Sequence, residues 1–99
     1  MKSKLFIMLK SPHEFTGMDL VRSMAEGAPS AVILFEDAVL FAANAKKGEE
    51  LRSVVKDVYV IKDDWDARGL PQVMADFKMI DYPGAVDLIM ERFEQTITV

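Results

Sequence analysis

Residues able to do chemistry gather at four places along the sequence, each just beyond a short apolar run: Ser11, His13 and Glu14; Glu36 and Asp37; Asp63 and Asp64; Asp81 and Tyr82. If the runs are parallel strands, all four groups stand along one edge of a sheet, where the ligands of such sheets collect. An acidic rim with one imidazole suits a hard cation held by oxygen ligands. It would support a metal- or small-molecule-dependent enzyme using His13 with Glu36 and Asp63 or Asp64. A plainer use is the stronger reading. Carboxylates at the start of a helix accept backbone N–H bonds and meet the positive end of the helix dipole, contributing on the order of 1 kcal/mol each. Ser11 and His13 lie two apart around Pro12, with no third member and no oxyanion loop. A turn whose serine caps a helix accounts for them better than a nucleophile–base pair.

What is missing narrows the chemistry further. The sequence holds no cysteine. That excludes disulfides, thiolate zinc sites, cysteine nucleophiles and any persulfide carried by this chain. A single histidine leaves a soft-ligand metal site almost nothing to build on. The five glycines form neither a dinucleotide fingerprint nor a phosphate loop, so no cofactor is expected. Twelve Lys+Arg against sixteen Asp+Glu give a net charge of −4, with both signs interspersed. That balance disfavours nucleic acid or an anionic membrane as a direct partner. There is no run of 18 apolar residues. The opening segment Met1 to Leu9 has neither the length nor the cleavage site of a signal peptide, so the expected location is cytoplasmic.

The elements that must hold these residues follow from the apolar pattern. Ninety-nine residues, 51% apolar and 28% charged, suit one compact domain spanning 1–99. Leu5 to Leu9 and Ala31 to Phe35 read as buried strands and Asp57 to Ile61 as a third strand, with a brief fourth at Phe77 to Ile80. Helical patterns run from about Phe15 to Ala25, Ala38 to Ala45, Glu49 to Val55 and Pro83 to Glu94. A single turn at Asp63 to Gly69 and a short helix over 71–75 complete the series. Strand and helix alternating in this way predict an α/β fold, three-layer α/β/α, with a small, mostly parallel four-stranded sheet.

Two features point outward. Taken as an α-helix, Asp37 to Ala45 turns Val39, Leu40 and Phe41 in directions about 100° apart, more than one small domain hides easily. These three are therefore expected in a subunit interface, since soluble monomers avoid such patches. Trp65 and Arg68 share a side of the turn at 63–69. They read either as interface anchors or as parts of a capped turn, with Gly69 as its stop and Arg68 paired to Asp64 or another nearby carboxylate. Both readings stand.

The order of segments resembles the TusB/DsrH-like subunits of the DsrE/DsrF-like sulfur-relay superfamily. The matching pieces are Leu9-Lys10-Ser11-Pro12, Ala25-Glu26-Gly27, Val32 to Asp37, Val58-Tyr59-Val60, Asp66-Ala67-Arg68-Gly69-Leu70, and Ile80-Asp81-Tyr82 with Val86-Asp87-Leu88. The resemblance implies a three-layer subunit working beside related DsrE/DsrF-like (TusC/TusD-like) subunits. Such an assembly passes persulfide sulfur toward tRNA 2-thiouridine or within dissimilatory sulfur metabolism, and the chain alone is expected to form a homo-oligomer. In the family the sulfur-bearing cysteine that matters most sits on a partner. This chain has none, so no sulfur-carrier role transfers to any position here, and a non-catalytic, structural part in the complex is what remains.

Overall fold

In the computed structural model, residues 3–71, 73 and 76–99 are described. The strand Ser30–Leu34 (β2) is buried at all five positions, which only the centre of a sheet covered on both faces provides. Beside it lie β1 (Lys4–Met8) and β3 (Asp57–Ile61), and outside those β5 (Gln95–Thr98) and β4 (Phe77–Ile80). The order is β4-β3-β2-β1-β5, with every pairing parallel.

The sheet thus has five strands where the apolar runs predict four. Gln-Thr-Ile-Thr carries one apolar residue and sits at an edge, largely solvated. Its parallel ladder with β1 holds it, together with Ile97 against the core, and no buried run announces such a strand.

Helix α1 (Met18–Ala25), a 3₁₀ helix (Glu36–Ala43) and α2 (Ala45–Val54) cover one face. They pack Val21, Val39, Phe41 and Leu51 onto Phe6, Met8, Val32, Leu34, Val58 and Val60. Asn44 caps α2 by accepting the Lys47 N–H at 3.0 Å. Among the described residues the opposite face carries only α4 (Tyr82–Asp87) and the π-helical turn Leu88–Arg92 that extends it, with Ala85 and Leu88 on Leu5, Ala31, Ile33 and Ile61. This segment leads the chain from β4 at one edge to β5 at the other. A helix is about 10 Å across and strands lie about 4.8 Å apart, so one helix covers roughly two strands of five. Ile7 and Tyr59 remain only half-buried beside it.

The 3₁₀ helix overturns one expectation. With three residues per turn its side chains fall into rows three apart. Ala38 with Phe41 and Val39 with Ala42 form two rows, both buried; Asp37, Leu40 and Ala43 form the third and face outward. Phe41 meets Phe15 edge-on at 6.0 Å. Val39 and Phe41 are therefore core residues of this chain and offer a partner no surface. The expected interface there reduces to Leu40, which is half-buried. The short helix expected over 71–75 falls on Gln72, Met74 and Ala75, outside the described residues. Among the described residues no helix is long and apolar enough to cross a membrane.

Candidate functional site at the carboxyl edge of the sheet

The carboxyl ends of β2, β3 and β4 are tied together by one side chain. Asp64, within α3 (Lys62–Ala67), accepts the backbone N–H of Glu36 on Oδ2 and the Tyr82 hydroxyl on Oδ1, both at 2.7 Å. Glu36 needs that hold. Its φ of +51° lies in the left-handed region, which disfavours a residue with a Cβ by about 1–2 kcal/mol. The kink turns the chain from β2 straight into the 3₁₀ helix. Tyr82 stacks on Phe35 at 6.3 Å, completing the junction.

Arg68 extends the network. Its Nη1 donates to the Asp64 carbonyl at 2.9 Å and its Nη2 pairs with Asp37 at 2.8 Å. Gly69 follows at φ +61°, as the capped-turn reading of this segment expects. Trp65 is buried in the chain's own core and donates its Nε1–H to the Pro71 carbonyl at 2.8 Å, so the indole is satisfied internally.

The remaining rim residues do not converge. Asp81 caps α4 by accepting the Gly84 N–H at 2.8 Å. Asp63 is exposed one residue from Lys62. The Ser11 hydroxyl donates to Glu14 at 3.3 Å and not to His13, which is exposed on the first loop. Among the described residues, no three His, Asp or Glu side chains are placed to hold a metal ion. Asp64 accepts one hydrogen bond on each oxygen within this network, and among the described residues His13, Glu36, Asp63 and Asp64 do not come together as one ligand set.

The electrostatics point the same way. The hydrogen bond to Asp64, then loss of water around the phenol, raises the Tyr82 pKa above the ordinary phenol value. Hydrogen bonds to Asp66 and Asp57 likewise raise Lys62 and Lys78. Each shift reinforces the protonation state the group already has at neutral pH. None of the three is tuned toward neutrality as a general acid or base is. The arrangement is a structural clasp.

Sequence reasoning missed the Asp64–Tyr82 pairing, which joins residues 18 apart in sequence. It also missed that Tyr82, Val86 and Met90 share the outer side of the last helical segment. Their spacing of four was legible; which side of the segment faced the sheet was not.

The family described as DsrH like protein matches residues 10–95. Protein TusB of Salmonella paratyphi B, of Salmonella agona and of Salmonella typhi is in each case 35% identical over 89 residues, covering 85% of this chain and 92% of the relative. The crystal structure of the ychN protein from E. coli superposes with a TM-score of 0.79 over 100% of both chains, at 14% identity, a likeness of fold alone. With a family match over nearly the whole chain and relatives of that identity, the chain belongs to the DsrH-like family.

Proposed function

We propose that this chain is a non-catalytic structural subunit of a sulfur-relay assembly, one that passes persulfide sulfur toward tRNA 2-thiouridine or within dissimilatory sulfur metabolism. Its partners are related DsrE/DsrF-like subunits of the TusC and TusD kind, and its place of work is the cytoplasm. The observation that carries the reading is a DsrH-like chain with no cysteine at all. Persulfide chemistry needs a thiolate, so the sulfur must ride on a partner. The clasp at the carboxyl edge supports it, because Asp64, Tyr82, Asp37 and Arg68 are spent on holding strand ends together. Leu40, on the outward row of the 3₁₀ helix, and Arg68 are the residues of the expected interface that keep some exposure.

The test is to purify the chain with and without the TusC-like and TusD-like proteins of the same genome. Each preparation is supplied with labelled persulfide sulfur, and the label is read subunit by subunit. A stable complex with the label only on partners is expected, together with loss of 2-thiouridine or of sulfur oxidation when the gene is deleted. A chain that stays apart from both subunits, or that transfers sulfur alone, refutes the reading.

A further inference from the structure

The outer side of α4 and its π-helical turn carries the largest apolar exposure among the described residues. Tyr82, Val86 and Met90, four apart, are 42%, 55% and 75% exposed, while Ala85 and Leu88 between them are buried against the sheet. Beside this stripe, on the β3–β4 side, the sheet face that a single helix leaves open forms a cleft of about 400 Å³, lined by Tyr59, Ile80, Asp87, Glu91 and Arg92 among others. Stripe and cleft adjoin through Asp87 and Glu91, which makes one continuous surface. A stable interface takes about 800 Å² from each partner, with an apolar centre and a polar rim. Three side chains supply the centre, and the cleft supplies the rim.

Charge says what fits it. Residues 81–94 hold four carboxylates (Asp81, Asp87, Glu91 and Glu94) and one cation, Arg92. A second copy would set like against like. An antiparallel pairing about Val86 opposes Asp81 to Glu91 of the other copy, and a parallel one opposes Asp87 and Glu91 to themselves. Opposed like charges at an interface are costly, and complementary ones select the partner.

We infer that this face docks a different subunit, one presenting an apolar strip edged with Lys or Arg, and not a second copy of the chain. The inference rests on the scaffold reading above and adds where the neighbour binds. Both apolar positions to be changed are exposed, so Val86→Glu/Met90→Glu keeps its fold by circular dichroism and thermal melting. Each protein is mixed with purified TusC-like and TusD-like subunits, and association is measured by light scattering and calorimetry. The double variant is expected to bind at least tenfold more weakly, and Asp87→Lys/Glu91→Lys to weaken binding and lose the salt sensitivity of the wild type. If the wild-type chain assembles and the Val86/Met90 variant assembles equally well, the docking face is wrong and the scaffold reading survives. A wild-type chain that binds neither subunit removes both. A wild-type homodimer that the same variant dissociates assigns the face to a second copy and overturns the inference.

Discussion

Asp64→Ala tests the clasp directly. The substitution removes the acceptor for the Glu36 N–H, a 2.7 Å bond to a carboxylate, and releases the Tyr82 hydroxyl. A capping or charge-assisted bond of this kind is worth about 0.5–3 kcal/mol, and because water reaches both partners the lower half applies, about 1.5 kcal/mol. For a domain of this size that lowers Tm by roughly 6–12 °C. The reasoning also fixes a coupling. Asp64 holds a residue in the left-handed region, and glycine adopts that region without a Cβ penalty. Glu36→Gly alone should be near neutral, its relief of about 1 kcal/mol offset by a similar gain in unfolded-chain entropy. In the Glu36→Gly background, Asp64→Ala should cost less than in the wild type by at least about 0.5 kcal/mol. Scanning calorimetry and urea titration of the four proteins give the cycle. A Tm for Asp64→Ala within 2 °C of wild type, or strictly additive effects, would refute the clasp.

Other outcomes follow from the same geometry. Phe41→Asp should unfold the chain, since it exchanges a core aromatic for a buried charge at a cost above about 4 kcal/mol, whereas Leu40→Asp should stay folded; circular dichroism separates them. Trp65→Phe should lower Tm by roughly 4–8 °C through loss of the bond to the Pro71 carbonyl. The Tyr82 pKa is raised in the folded state, so its contribution is complete below the ordinary phenol value and is lost as pH climbs through the folded value, above about pH 10. Tyrosinate absorbance at high pH should show a late-titrating tyrosine that Tyr82→Phe abolishes and Asp64→Ala moves to lower pH. Lys62 and Lys78, also raised, lose their contributions in the same alkaline range, so the Tyr82→Phe comparison isolates the phenol.

Much of the fold was written in local pattern. Leu5–Leu9, Ala31–Phe35 and Asp57–Ile61 announce parallel strands because short apolar runs between helical patterns suit a sheet covered by helices, and the boundaries are marked at Pro83 by its fixed φ and at Gly69 by its tolerance of a positive φ. The absence of cysteine needs no structure to exclude thiol chemistry. Three matters were settled only by tertiary contacts. The segment after β2 winds three residues to the turn from a left-handed Glu36 that a carboxylate 28 residues away holds, and that winding sends Val39 and Phe41 inward together. Strand β5 exists because β1 offers it an open ladder, not because Gln-Thr-Ile-Thr demands burial. Which side of the last helical segment stays exposed depends on its path back across the sheet, and a path is a property of the whole chain that no window of residues contains.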